Sequence, residues 1–199
     1  MAINLANNNS LANITALPSS ISGGAMTLLA TQTASGSSTL DFTSGIDSTY
    51  DSYVFKFINI HASSSQDLSF QTSTNSGSSY GVTATTTNFR AYHAEDNSGA
   101  TLEYTAGADL AQSTNFVLLN YGSIGTANDD NCVGTLTLYN PSSTTFVKHF
   151  ISNTNTSVAY SIENFTAGYF NTTSVINAVQ FKMASGNIDS GVIKLYGVS

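Results

Sequence analysis

Residues that commonly carry out chemistry in proteins are few in this sequence, and their spacing matches no catalytic pattern. Among 199 residues, only 9% are Asp, Glu, Lys or Arg. The three histidines, His61, His93 and His149, show neither HxH nor HExxH spacing, and no serine lies in a GxSxG turn. Because enzymes place several titratable groups in one cleft, we predict a non-enzymatic protein with no catalytic residue and no cofactor.

Two pairs of neighbouring carboxylates are the next candidates for chemistry. Glu95-Asp96 lies in "AEDNSG" and Asp129-Asp130 in "NDDN". Carboxylate and amide oxygens are ligands that Ca²⁺ prefers, but the alternating acidic pattern of a calcium loop is missing. We therefore interpret both pairs as solvated turns and predict no metal site, and whether Asp129 and Asp130 bind a cation stays open at this point.

The remaining reactive side chains have structural interpretations. Cys132 is the single cysteine, so it can form neither an internal disulfide nor a cysteine-based metal site. A lone cysteine of this kind usually behaves as a small buried hydrophobe. In "TTFVKHFIS", His149 shares a face with Val147 and Ile151, and the opposite face carries Phe146, Lys148 and Phe150. This setting favours a structural histidine over a ligand.

The charge distribution disfavours nucleic acids and membranes as partners. The formal net charge is −7, and the five basic residues are spread along the chain, mostly as single residues within predicted strands, where they are expected to point to solvent. Nucleic-acid binding normally needs clustered Lys and Arg. The N-terminus has no basic start followed by an apolar stretch, so we expect no secretory signal, and no apolar run approaches the roughly 18 residues of a membrane span.

Strands must position any site, because the composition and periodicity from Met26 onward are typical of a β-protein. Ser, Thr, Asn and Gly replace the usual charged residues, and Thr, Val, Phe and Tyr are plentiful. "CVGTLTLY" alternates, with Leu136 and Leu138 opposite Val133 and Thr135. "SYVFKFINIH" is apolar on both faces, which predicts a central strand covered on both sides.

About ten such strands follow one another at 8–16-residue spacing, and no helix of ordinary length is legible. This pattern predicts an all-β fold, a jelly-roll-like antiparallel β-sandwich over residues 25–199. "GNIDSG" suits a short hairpin loop between the last two strands. Loops 75–81, 93–100 and 122–131 are candidate binding tips, and tyrosines at or near strand ends could anchor contacts: Tyr50, Tyr53, Tyr80, Tyr92, Tyr104 and Tyr121.

The first 24 residues differ from the rest, being rich in Asn and ending at Gly23-Gly24. Sparse aliphatic residues predict an extended arm that lies on a neighbour, with a plain disordered tail as the alternative. The candidate interface residues are Ile3, Leu5, Leu11, Ile14, Leu17 and Ile21.

Several long stretches resemble small virion structural proteins of tailed bacteriophages, especially phages of marine bacteria and cyanobacteria. They are "LLATQTASGSSTLDFTSGIDSTYDSYVFKFINIH", "YNPSSTTFVKHFIS", "AGYFNTTSVINAVQFKMASGNIDSGVIKLYG" and the opening "MAINLANNNSLANIT". The resemblance extends over most of the chain and is weakest over residues 80–130. None of the resembling stretches is tied to chemistry.

The resemblance implies a place in the virion and self-assembly. We expect a capsid decoration (cement) protein that stabilises the head through surface contacts. Its expected partners are the major capsid protein or another virion protein and further copies of itself, as a homotrimer. The alternative is a tail fibre or receptor-binding component that recognises a host surface glycan or protein.

Overall fold

The computed structural model describes residues 26–199, which form two antiparallel β-sheets. The predicted all-β sandwich is therefore confirmed, with twelve strands rather than about ten. The predicted arm, residues 1–24, lies outside the described residues. The strands are β1 (Thr27–Ser37), β2 (Leu40–Phe42), β3 (Ser52–Ala62), β4 (Leu68–Ser73), β5 (Ala84–Ala94), β6 (Ala100–Tyr104), β7 (Val117–Leu118), β8 (Asn131–Tyr139), β9 (Lys148–Ser157), β10 (Tyr160–Phe170), β11 (Ala178–Met183) and β12 (Ile188–Val198).

The two sheets differ in size. The large sheet has the strand order β1-β12-β3-β8-β9-β10-β5-β6, and the small sheet has the order β2-β11-β4-β7. The chain changes sheet at most connections and stays in the large sheet only within the β5–β6 hairpin and the β8–β9–β10 meander. No helix in residues 26–199 has the length and apolarity to cross a membrane.

Aromatic side chains between the sheets form the centre of the core. Phe181 of the small sheet packs edge-on against Phe55 and Phe57 of β3, with ring centroids 5.1 and 5.4 Å apart. Phe70 of β4 packs in the same way against Phe150 of β9, at 5.0 Å. All five rings are buried, so this aromatic layer holds the small sheet against the middle of the large one.

Strand β3 is central, as its sequence predicts, but it is covered on one face only. Tyr53, Phe55 and Phe57 point into the core, whereas Ile58 on the opposite face is 39% exposed. A β-bulge then shifts the register at Asn59, whose φ is +50°. Because the bulge adds one residue, Ile60 points inward instead of outward as simple alternation predicts.

The half of the large sheet that consists of β9, β10, β5 and β6, called the far half below, has a mainly polar inner face. Its cover is an irregular segment, residues 105–121, that includes β7. The Thr154 hydroxyl donates to the Leu119 carbonyl at 2.7 Å, and the Asn164 side-chain oxygen accepts from the Tyr121 N–H at 3.0 Å. Irregular backbone has free donors and acceptors, so threonine and asparagine replace aliphatic residues on this inner face.

Two further expectations are wrong. "GNIDSG" does not close a hairpin, because β11 belongs to the small sheet and β12 to the large one. Lys148 is fully buried instead of pointing to solvent, and its Nζ donates to the carbonyls of Phe146 and Thr172 at 2.9 and 3.1 Å. Loss of hydration lowers the pKa of this lysine.

Candidate interaction surface

The outer face of the large sheet carries a contiguous group of apolar side chains. Phe89 of β5 lies opposite Tyr104 of β6 and Phe165 of β10. The two phenylalanine rings stack at 4.8 Å with an interplanar angle of 11°. The outer patch, as it is called below, consists of these three aromatic residues and two aliphatic neighbours on the same face: Phe89, Leu102, Tyr104, Ile151 and Phe165.

The outer patch is large for a surface that faces solvent. Its side chains are between 38% and 73% exposed. With roughly 150–250 Å² per aromatic side chain, the patch presents on the order of 500 Å² of apolar surface. That is near the upper end for monomeric proteins, whose largest patches measure roughly 300–600 Å² and are often functional.

A shallow depression adjoins the outer patch, so this part of the sheet surface is not flat. Its volume is about 530 Å³, and Ile151 of the patch forms part of its lining. The depression exists because Ala167 puts a single methyl group between the larger Ile151 and Tyr169 side chains. A protruding side chain of a partner could seat there, which a flat sheet face would not allow.

The patch ends at β6, the edge strand of the large sheet. Four of its five residues are exposed. Edge strands present unpaired backbone groups and are commonly covered or blocked by charge. In β6 the one charged side chain is Glu103, which binds Arg90 at 2.6 Å on the other face of the sheet, so it does not block the outer patch.

Charged groups lie at the margins of the outer patch, where the Asp109 carboxylate accepts a hydrogen bond from the Tyr104 hydroxyl. Glu163 also borders the patch and accepts a hydrogen bond from the Asn155 side chain at 2.9 Å. Lys56 and Lys194 are cross-strand neighbours on the same face, but they lie on β3 and β12, on the other side of β8. Both bordering carboxylates have a hydrogen-bond donor within the protein, so a partner could cover the patch without leaving either of them entirely without a donor, which lowers the cost of burying charge.

The interface residues predicted from sequence, Ile3, Leu5, Leu11, Ile14, Leu17 and Ile21, all lie outside the described residues. Of the six candidate tyrosines, Tyr104 is the exposed one, and it belongs to the outer patch. Tyr53 is fully buried, and its hydroxyl donates to the Asp47 carbonyl at 2.9 Å. It is therefore a core residue rather than a contact residue.

The three histidines are not brought together. His61 lies 3.3 Å from an Asp189 carboxylate oxygen and 3.1 Å from the Ala127 carbonyl. His149 is exposed beside Tyr169, with ring centroids 5.9 Å apart, so the prediction of a structural histidine is wrong at this position. Its neighbours Lys148 and Phe150 take the inward positions of the strand.

Both carboxylate pairs lie in loops, as predicted. Asp96 accepts a hydrogen bond from the Ser98 N–H at 2.9 Å, and Asp130 accepts one from the Ala127 N–H at 2.8 Å. Both contacts stabilise turns. Within the part of the chain that the structure describes, no group of three His, Cys, Asp or Glu side chains is placed to hold a metal ion.

Comparisons with known proteins add no family. A scan against protein-family models, a search of curated proteins and a search of solved structures each found no match.

Sequence reasoning missed the outer patch, although one signal was present. "TTTNFRAYH" and "IENFTAGYF" carry large apolar residues at both odd-numbered and even-numbered positions, and therefore on both faces of the strand, as β3 does. From sequence alone, that pattern in β3 predicts burial on both faces. In the described structure, it marks strands that are buried on one face and apolar on the exposed one.

Proposed function

We propose that this protein is a non-enzymatic virion structural protein, a capsid decoration (cement) protein that acts through surface contacts and self-association. The outer patch is the observation that carries the proposal. It supplies on the order of 500 Å² of the roughly 800 Å² that each partner contributes to a standard interface. Polar residues around the patch could supply the rest of this area as the rim of the interface.

The occupant we propose for the outer patch is a second copy of the chain. Each copy carries a net charge of −7, so a stable contact between copies has to avoid joining charged surfaces. The outer patch meets that requirement because it is neutral and apolar. In the trimer that the resemblance implies, the contacts would be head to tail, with the patch of each copy packed against a different surface of the next copy so that three copies close a ring.

The strand order supports the virion assignment at the level of architecture. With β5, β6, β9 and β10 set aside, the sheets read β1-β12-β3-β8 and β2-β11-β4-β7. We propose that these eight strands form a jelly roll, whose larger sheet is extended by two antiparallel pairs, β9–β10 and β5–β6. Viral capsid domains use this architecture, as do lectins and cupins, so it supports the proposal by analogy.

Sedimentation velocity of the purified full-length chain tests self-association. We expect a species near three times the 20.8 kDa chain mass. The double variant Phe89→Ser/Phe165→Ser should weaken association at least ~30-fold, because buried aromatic anchors contribute about 2 kcal/mol or more. Phe146→Ser is the matched control, since Phe146 is a 69% exposed phenylalanine outside the patch.

A monomer at high concentration for the wild-type chain would contradict the self-association proposal. So would equal association of the wild-type chain and the Phe89→Ser/Phe165→Ser variant.

Deletion of residues 1–24 tests the separate proposal that the arm docks on a neighbour. If the arm joins copies, the shortened chain should sediment as a smaller species. If only binding to expanded capsids is lost, the arm is a capsid-docking device. Binding of the full-length chain to host cells rather than to capsids would favour the alternative function, a tail fibre or receptor-binding component.

A further inference from the structure

A small groove lies at one end of the far half of the large sheet, on the inner face. Its lining comes from two neighbouring strands and one loop: Arg90, Tyr92, Gly122, Tyr160 and Ile162. Its volume is about 250 Å³. A second depression of about 180 Å³ shares Tyr160 and is lined on its other side by Ala94, Glu95, Asp96 and Ala159.

The aromatic walls of the groove are preorganised. Tyr92 and Tyr160 meet edge to face, with centroids 5.7 Å apart and an interplanar angle of 89°. Tyr160 is 38% exposed, and the adjacent Ile162 is 5% exposed. This arrangement offers a flat aromatic surface and an aliphatic floor to a ligand that has a C–H face of its own.

Arg90 provides the polar end of the groove. Its guanidinium lies between the rings of Tyr92 and Tyr121, at 5.3 and 5.0 Å. Three of its N–H donors are used within the protein, two by Glu103 and one by the Tyr121 carbonyl. Since a guanidinium has five N–H donors, two remain, one on each terminal nitrogen.

Gly122 keeps this end of the groove narrow but open. A Cβ at this position would lie 2.9 Å from Arg90 Nη1 and 2.9 Å from Ile162 Cδ1, and the φ of Gly122 is +132°. Any other residue would push into the groove or shift Arg90. The loop backbone can approach this closely because glycine has no side chain.

Carboxylate acceptors line the second depression. Glu95 and Asp96 are exposed there. The Ser98 hydroxyl and backbone N–H lower the pKa of Asp96, so this carboxylate is ionised at neutral pH. Carboxylates of this kind accept hydrogen bonds from ligand hydroxyl groups.

We propose that these two depressions bind two adjoining rings of a neutral saccharide, with one ring stacked on Tyr160. A sugar ring combines a C–H face, which suits tyrosine, with hydroxyl groups, which suit the free Arg90 donors and the two carboxylates. Each depression is smaller than the roughly 300 Å³ of a drug-sized pocket, which suits a single ring.

Charge selects against acidic sugars at this site. Glu103 already neutralises Arg90 at 2.6 Å, and Glu95 and Asp96 add negative charge to the second depression. A sugar carboxylate or sulfate would therefore meet net repulsion. This inference is independent of the proposed self-association, because the groove lies on the inner face and the outer patch on the other.

A glycan array that carries neutral and acidic saccharides, probed with the full-length chain, tests the proposal. We expect neutral oligosaccharides to be retained and Tyr160→Ala to weaken their binding at least ~10-fold, as the loss of one stacking surface implies. Tyr139→Ala is the control, because Tyr139 is 42% exposed on the outer face of β8. Glu95→Gln/Asp96→Asn should weaken binding without removing the Tyr160 surface.

Retention of no neutral saccharide by the folded wild-type chain would overturn the inference. Preferential retention of acidic saccharides, or equal binding by wild-type and Tyr160→Ala chains of matched melting temperature, would overturn it as well. None of these results would alter the sedimentation of the protein, so failure of the saccharide site and failure of the assembly proposal are distinguishable.

Discussion

Cys132 shows how strongly the interior of this protein controls a single titratable group. It is fully buried on β8, opposite Ile60 of β3 and Thr156 of β9. Burial raises its pKa from an ordinary value near 9 to about 12, against the opposite effect of the Thr156 and Thr154 hydroxyls. The sequence-based prediction of a buried thiol is confirmed.

This shift predicts an alkaline loss of stability that depends on one residue. Between pH 9 and about 12 the unfolded thiol ionises while the folded thiol stays protonated. The folded state then holds more protons, so the free energy of unfolding falls as pH rises. We expect the stability difference between wild type and Cys132→Ala to shift by about 2 kcal/mol from pH 7 to pH 10.5, to the disadvantage of wild type.

Urea unfolding of both chains at the two pH values measures that shift. A stability difference that is independent of pH would contradict it. Cys132→Val, which also removes the ionisable group, should behave like Cys132→Ala in its pH dependence.

Lys148 shows the limit of predicting single residues from sequence. Its alternation with Phe150 correctly places the two side chains on one face of β9. Whether this face points to the core or to solvent could not be predicted. It depends on the carbonyls of Phe146 and Thr172, which accept hydrogen bonds from the Lys148 Nζ in the folded protein. A lysine is assigned to solvent by default, and only the packed loops overturn that assignment.

At the scale of elements, the bulge in β3 determines which residues enter the core. Asn59 has a φ of +50°, a conformation that Asn tolerates and β-branched residues strongly resist. We expect Asn59→Val to lower the free energy of unfolding by about 1–2 kcal/mol. Asn153→Val, on the outer face of β9 and with no positive φ, is the control and should change stability by less than about 0.5 kcal/mol.

Chemical denaturation of the two variants beside wild type checks this prediction. Equal stability of Asn59→Val and Asn153→Val would show that the bulge conformation imposes no constraint on its residue.

The presence of most strands could be predicted from the sequence, but the strands they pair with could not. Alternation in "CVGTLTLY" correctly separates the buried Leu136 and Leu138 from the exposed Val133. The loop "GNIDSG" has the residues of a hairpin turn, yet it joins strands of different sheets. Local turn chemistry sets the bend of the chain, whereas the sheet that receives the next strand depends on contacts far away in sequence.

The candidate sites were out of reach of sequence reasoning for the same reason. The saccharide groove joins residues near 90–96, 122 and 160–162, and no spacing rule links such distant segments. The outer patch likewise combines β5, β6, β9 and β10. Its residues show only that a strand is apolar on both faces, and the structure is needed to tell a covered face from an open one.

At the scale of the whole molecule, the two halves of the large sheet are stabilised by different interactions. The aromatic core holds the strands over the small sheet and the Phe150 end of β9. The rest of the inner face of β5, β6, β9 and β10 is held by polar contacts with residues 105–121. Apolar burial is lost in one cooperative step, while polar contacts to loops open locally.

We therefore expect amide hydrogen exchange to be slowest in β3 and β11 and at least ~100-fold faster in β6, the exposed edge strand. Exchange measured by mass spectrometry on peptides from these strands checks this expectation at pH 7. Equal protection of β6 and β11 would indicate that the molecule opens as one unit.

The position of the last two strands has a consequence for biosynthesis. β11 lies between β2 and β4, and β12 lies between β1 and β3, with Thr27 paired to Gly197. A nascent chain therefore lacks an interior strand of each sheet until residues 178–198 have left the ribosome. We expect the fold to be completed only after that point, at the slow rates typical of high contact order, and chaperone demand to be greatest just before it.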